Sequence, residues 1–453
     1  MSPTQPETGT GLPTTAGRKP RLLWANVYCL LDTSSGASMS VREMLRQLVR
    51  SGYEVEVLGA TVFDNARGTA GLHGQWPVVQ AQRGSLVALV DGPLEHRLYV
   101  TAATDRDAMT SREESGWLSL YQQTLAQFRP DVVFYYGGKP LDFLVASEAR
   151  ARGIPSAFYL ANGSYTHTRW CQDVDLVVTN SQATAAMYQR RLGIRAVPVG
   201  VFIDPARVVA PRHAPQRILF VNPSLEKGAA VVIRLALLLE KRRPDIVFEV
   251  VESRGNWVDV LRAVSSAMGQ PREALDNVVV TPNTGDMRPI YARARLLLAP
   301  SLWWESSGRV LVEALLNGIP AIITDQGGMP EVVQEGGITL RLGPAYHAAP
   351  YKRVPPDAAL EPLLQRLETL FDDAAAYAAL AAQARHVGQT RHHLQTSTQR
   401  LMQALAPLVD QRVGDGDTGA ALRQWHRHGL QERPRAAVPR GRVKAAREGE
   451  APP

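Results

Sequence analysis

PSLWWESSGRVLVEALLNGIPAIITDQGGMPEVV, residues Pro300 to Val333, is the stretch whose reading decides the fold. It continues an apolar run, RLLLAPS from Arg295, that reads as a buried strand. Ser306, Ser307 and Gly308 then open a helix whose apolar face is Val310, Leu311, Ala314 and Leu315. Asn317-Gly318 marks the end of that helix, with Pro320 beyond, and AIITD from Ala321 is the next strand. Strand, turn, helix, strand is the unit of a parallel sheet.

The same periodicity extends in both directions. Toward the N-terminus of the chain the strands are RLLWANVYCLL from Arg21, YEVEVLGA from Tyr53, DVVFYYG from Asp131, PSAFYLA from Pro155 and DLVVTNS from Asp175. A second series comprises RILFVNP from Arg217, VFEVVES from Val247, NVVVTP from Asn277, RLLLAPS and AIITD. VGVFIDPARVVAPRHAPQ lies between them, with three prolines and no sustained period, and places an interdomain boundary near Asp204. The expected organisation is therefore a tail at 1–20, an α/β domain at 21–204, a second at 205–390, a helix at 391–412 that can pack back on the first domain, and a basic tail at 413–453. One helical stretch is expected from Leu360 to Val387 and another from Thr396 to Val409. Two doubly wound domains present the carboxyl ends of their strands to a shared crevice, where such sheets bind ligands.

The chemistry of the Pro300–Val333 segment follows from its helix opening. Backbone N–H groups lack partners there and carry partial positive charge, so a diphosphate is a well-matched ligand, and small residues let it approach. Glu305 precedes the opening, and Glu313 lies about two turns on, roughly 12 Å along a helix axis. Two carboxylates so spaced bracket a nucleotide sugar, one at the hexose and one at the ribose, because a carboxylate accepts two hydroxyl hydrogen bonds from a vicinal diol. Spacing alone does not assign these roles, since such pairs occur by chance on many amphipathic helices.

The neighbouring residues add to the spacing. E-S-S-G-R-V-L-V-E, followed by G-I-P and G-G-M-P-E-V-V, resembles the signature of the retaining family 4 glycosyltransferases, which adopt the GT-B fold of two Rossmann-like domains facing across a cleft. RILFVNPSLEKGAAVVIRLALLLEKRRPDIVFEVV resembles the opening of that family's donor domain, with Lys227-Gly228 where a lysine contacts the donor diphosphate. DLVVTNSQATAAMYQRRLGI resembles the close of its acceptor domain. CLLDTSSGASMSVREMLRQLVRSGYEVEVLGA resembles the opening, with Ser35, Gly36 and Ala37 at the loop reaching toward diphosphate and acceptor. The matches span about Arg21 to Val387. The resemblance implies a nucleotide-diphosphate sugar donor, a retained anomeric configuration, catalytic Glu305 and Lys227, and donor contacts from Asn222, Ser306, Ser307, Gly308, Arg309, Glu313 and Gly36. It implies no metal and no cofactor.

Two positions depart from the pattern. An arginine that commonly precedes the lysine by five residues is Asn222 here, which removes a charge where negative charge develops, and Arg309 is the nearby candidate to compensate. The position of a frequent histidine near the sugar is Ala161, and His167 is close but not aligned. These departures motivate a rival, a non-catalytic partner subunit or sugar-nucleotide-binding protein of the same fold. A sugar-nucleotide epimerase is a further rival; a phosphorylase would need a pyridoxal-binding lysine motif that is not evident. Thr61–Trp76 and Tyr136–Lys139 are candidate acceptor linings. The acceptor, the donor base and sugar, and the oligomeric state are not set by these residues.

Composition bounds the alternatives. Of 453 residues 45% are hydrophobic and 21% charged, enough for sizeable cores. Cys29 and Cys171 read as separate, buried, reduced thiols, and no apolar h-region or bilayer-length run is present, which suggests a cytoplasmic protein. Much of the net charge of +7 is local: from Gln411 onward nine Lys/Arg face five Asp/Glu in a stretch that reads as disordered. That argues against a nucleic-acid partner, since no reader motif accompanies the charge, and leaves open a peripheral contact with a membrane surface.

Overall fold

The computed structural model describes residues 18–413. The expected N-terminal tail, apart from its last three residues, and the basic C-terminal tail from Gly414 lie outside the described residues. In the first domain β1 (Arg21–Ala25), β2 (Glu54–Ala60), β3 (Leu86–Asp91), β4 (Leu94–Tyr99), β5 (Val132–Tyr135), β6 (Ser156–Leu160), β7 (Leu176–Thr179) and β8 (Val197–Pro198) form one sheet in the order β3-β4-β2-β1-β5-β6-β7-β8. In the second, β9 (Arg217–Val221), β10 (Phe248–Val251), β11 (Val278–Thr281), β12 (Ala294–Ala299), β13 (Ala321–Thr324) and β14 (Gly337–Leu340) run in the order β11-β10-β9-β12-β13-β14. The second sheet is parallel throughout, and only β3 breaks the pattern of the first, pairing antiparallel with β4.

All ten strands read from the sequence are present. The β3–β4 hairpin, β8 and β14 were not legible as strands, because each sits at a sheet margin with short or mixed apolar patterning: Val90 is exposed and β14 buries only Leu340 fully. Central strands such as β1 are apolar on both faces because helices cover both sides, which makes them the readable ones.

Each sheet reverses its winding beside its first strand. β1 lies between β2 and β5, and β9 between β10 and β12, so the loops after β1, β9 and β12 open at the switch points where doubly wound sheets hold ligands. The helix Gly36–Arg50 follows β1 and is started by Ser35, whose hydroxyl accepts from the Ser38 amide, while Val41, Met44, Leu45 and Leu48 bury its apolar stripe. The linker turns at Asp204, whose carboxylate caps the short helix Pro205–Val208, and Asn317 holds it by bonds to Val208 O and Ala210 N.

The helical stretch expected from Leu360 to Val387 is two helices, Asp357–Asp372 and Ala374–Arg391. Asp373 divides them: it accepts from the amides of Ala375 and Ala376 and so starts a new helix where an uninterrupted Ala/Leu pattern suggested continuity. The last helix, Leu394–Val413, places Leu401, Leu405, Leu408 and Val409 in the same apolar cluster as Trp24, Val41, Leu45 and Phe134 of the first domain. Among the described residues no helix is long and apolar enough to cross a membrane.

Candidate functional site

A cleft of 610 Å³ lies where the two sets of switch-point loops meet, lined from one side by Ser34, Ser35 and Gly36 and from the other by Asn222, Lys227 and Ser301 through Glu313 in part. The second-domain wall is built by two loops that hold each other. Leu302 and Trp303 donate their amides to the carbonyl of Glu226, which fixes the loop after β12 against the loop after β9. Gly228 begins the helix Ala229–Arg242 at φ 85°, and a Cβ there would collide with the Pro300 carbonyl, so only glycine permits the approach. Lys227, one residue earlier, is thereby delivered to the cleft. Its ammonium pairs with the Glu305 carboxylate and stands 5.0 Å above the Trp303 ring.

Glu305 is further held by Trp303 Nε1, 3.2 Å away, and by the Ser301 hydroxyl at 3.4 Å. Burial pushes its carboxyl up, but the Lys227 charge and these donors outweigh burial and hold it below the ordinary carboxylate range. Beneath it, Gly327 and Gly328 give the loop room: a Cβ on either would strike the carbonyl of Glu305 or of Ser306, and the Gly328 amide donates to Glu305 O at 2.8 Å. The G-G of the quoted segment is thus a floor for the E-S-S turn.

Ser306 and Ser307 are buried in that turn, Gly308 is the N-cap at φ 76°, and the helix proper is Arg309–Leu316. Glu305 therefore stands outside the helix, and helical rise applies only from Arg309 to Glu313, about 6 Å of the roughly 12 Å expected. Among the described residues the amides of Ser307 and Gly308 donate to no other group, and the buried Ser306 hydroxyl has no partner. These three residues line the cleft, so its wall carries unpartnered donors. Gly36 opposes it with nothing within 4 Å of where a Cβ would be.

Glu313 lines the cleft but is strongly anchored. Tyr291 donates its hydroxyl to Glu313 Oε2 at 2.6 Å, and Arg309 Nε lies 2.6 Å from Oε1. Arg309 also donates to the carbonyl of Phe202 at 3.1 Å. Arg309, expected to make up for the missing arginine, lines the cleft, and its guanidinium is engaged by Glu313 and by the linker. Asn222 itself lines the cleft, adopts φ 64° and accepts from the amides of Arg254 and Gly255, so its side chain shapes the loop after β10. Arg254, exposed on the cleft wall, is a cation that sequence reading missed. Only its adjacency in space to Asn222 reveals it.

Of the other candidates, Ala161 lines the cleft, whereas His167 is exposed outside it and accepts from the Arg169 amide. Tyr136 packs against Trp24 and Tyr28, and Lys139 pairs with Asp107, so the Tyr136–Lys139 segment does not line the cleft. From Thr61–Trp76 only Asp64 does, while Arg67 reaches across to the Ser253 carbonyl at 3.1 Å. Cys29 is buried and Cys171 half-buried; both are free thiols.

Two facing sheets with these switch-point loops define the GT-B architecture. Residues 207–352 match the family model for glycosyl transferases group 1, which covers the second domain from the linker to beyond β14. The chain is 26% identical over 132 residues to spore coat protein SA of Bacillus subtilis; this is 27% of the chain, which spans about a third of that relative's length, 34%. Among solved structures, Anabaena HepE in complex with UDP-glucose superposes with a TM-score of 0.60 at 17% identity, covering 85% of this chain and 99% of that one. A glycosyltransferase from Rickettsia africae gives 0.58 at 13% identity, covering 86% and 99%. TarM gives 0.60 at 10% identity, covering 86% and 99%.

Proposed function

We propose that the protein is a cytoplasmic retaining glycosyltransferase that moves a hexose from a nucleotide-diphosphate sugar, held by the second domain, to a hydroxyl of an acceptor bound from the first. The observation that carries the reading is the convergence in one cleft of Lys227, the two unpartnered amides of Ser307 and Gly308, and the Glu305 carboxylate. The second-domain match to glycosyl transferases group 1 and the UDP-glucose held by the Anabaena neighbour support it.

In this mechanism the diphosphate leaves as the anomeric carbon gains oxocarbenium character, and the acceptor hydroxyl attacks from the face the diphosphate vacates, giving its proton to the departing phosphate oxygen. Lys227 exchanges Glu305 for the diphosphate, and the Ser307 and Gly308 amides take up the developing negative charge without reorganising. Glu305, released, accepts from the sugar hydroxyls. Glu313, already oriented by Tyr291 and Arg309, accepts from the ribose diol. Arg254 supplies the charge that Asn222 lacks.

The neutral Asn222 favours one other reading, a GT-B subunit that binds sugar nucleotide without turnover. A panel of uridine, guanosine, adenosine and thymidine diphosphate sugars separates the two: thermal shift identifies the donor, and proton NMR of the anomeric signal follows its fate. Transfer or hydrolysis with retained configuration supports the enzyme; binding with no turnover supports the subunit; an epimerised donor or inverted product overturns both.

A further inference from the structure

The second domain touches the first at the start of the helix Gln182–Leu192, and part of that contact is made by a residue that lines no part of the cleft. Glu331, in the short helix Met329–Val333, places its two carboxylate oxygens on the amides of Gln182 and Ala183, each at 2.9 Å. Those are the first two helical positions. The third, Thr184, donates its amide to the Ser181 hydroxyl, and Ala185 donates to the Ser181 carbonyl. All four donors at this helix start are therefore satisfied, two of them by a carboxylate about 150 residues away that also complements the positive end of the helix.

The docked helix leads to the acceptor side of the cleft. Thr184 donates its hydroxyl to the Ser306 carbonyl at 3.4 Å, and a Cβ on Gly328 would press on Ser181, so the helix start rests on the floor of the Glu305 turn. One turn further, the Tyr188 hydroxyl donates to the Asn162 carbonyl and accepts from the Tyr165 amide. It thereby fixes the loop that carries Ala161 and Asn162 into the cleft. Trp304 of the Glu305 turn packs so closely on this loop that a Cβ at Gly163 would overlap its ring.

We propose that Glu331 is a positioning residue: by capping the helix Gln182–Leu192 across the domain interface it sets the Ala161–Tyr165 loop against Glu305, and so governs transfer while leaving donor binding alone. The inference rests on the proposed glycosyltransferase reading for its kinetic consequence, but the docking itself is independent of any activity. The donor contacts at Lys227, Ser307, Gly308 and Glu313 all lie within the second domain.

The test uses the full chain and the variants Glu331→Ala and Glu331→Gln. Amide hydrogen exchange at Gln182 and Ala183 should quicken about tenfold or more in the alanine variant and less in the glutamine variant, which keeps an acceptor oxygen. Affinity for UDP, or for GDP, ADP or dTDP if one of these is the nucleotide that shifts the wild type, should stay within about twofold. Turnover of the matching nucleotide sugar should lose about tenfold in kcat with Glu331→Ala and recover in part with Glu331→Gln, at unchanged melting temperature. Unchanged exchange overturns the docking, and a parallel fall of affinity and kcat overturns the positioning role. Quickened exchange with intact kcat overturns the positioning role. A wild type with no turnover removes the enzyme reading, and the exchange result still decides the docking.

Discussion

At the scale of single residues the cleft is organised around a carboxylate that already has a cation. Without a ligand Lys227 and Glu305 neutralise each other, and a diphosphate must take the ammonium over. Lys227→Ala should weaken binding of the nucleoside diphosphate and lower turnover by about 10²–10³-fold, read by calorimetry and steady-state kinetics; an unaltered affinity contradicts the assignment. The pair also has an acid signature. Because Glu305 is held below its ordinary range, its contribution to stability is complete above about pH 4.3, the unfolded carboxylate value, and is lost as pH falls through the lower folded value. Lys227→Met removes the charge that opposes burial, so the variant should be less stable than the wild type at neutral pH and the difference should shrink as pH falls through the carboxylate range, followed by circular dichroism. Arg254→Ala tests whether that guanidinium stands in for the absent arginine: affinity for the diphosphate should fall about tenfold while affinity for the nucleoside alone is unchanged.

At the scale of elements, the loops succeed because particular glycines let backbones touch. Gly228→Ala meets both a left-handed φ and the Pro300 carbonyl, and should destabilise the protein by about 2–3 kcal/mol in a denaturant titration and lose nucleotide binding with it. Much of this level was legible in the sequence. The helix Arg309–Leu316 ends at Asn317-Gly318 as its residues imply, since its start and stop signals are local. What was not legible depended on distant partners. The split at Asp373 needed the cap to outweigh an unbroken Ala/Leu run, and β3, β4, β8 and β14 are strands through pairing more than through apolar patterning. Asn222 was readable as a departure from a family pattern, but its work on Arg254 and Gly255 and the commitment of Arg309 to Glu313 are contacts that no spacing announces. Glu331 stood in the quoted segment, yet only the fold shows it capping a helix of the other domain.

At the scale of the whole molecule, the chain crosses between the domains twice, once at the Asp204 linker and once at the final helix. The second crossing buries Leu401 and Leu405 completely in the first domain's apolar cluster. Leu401→Ala should cost about 2–5 kcal/mol in chemical denaturation, with no direct effect on residues of the donor side; a loss within about 0.5 kcal/mol would show that the helix is dispensable to the first domain. The cleft between these tied domains is where the central claim stands, that one donor molecule spans the Ser307–Gly308 amides with Glu305 at its sugar and Glu313 at its ribose. A crystal structure of the full chain with its nucleoside diphosphate tests this most directly. Phosphate oxygens are expected within hydrogen-bond distance of both amides and of Lys227, now parted from Glu305, with the ribose hydroxyls on Glu313. A diphosphate seated elsewhere, or a ribose turned away from Glu313 with the Lys227–Glu305 pair intact, would contradict it.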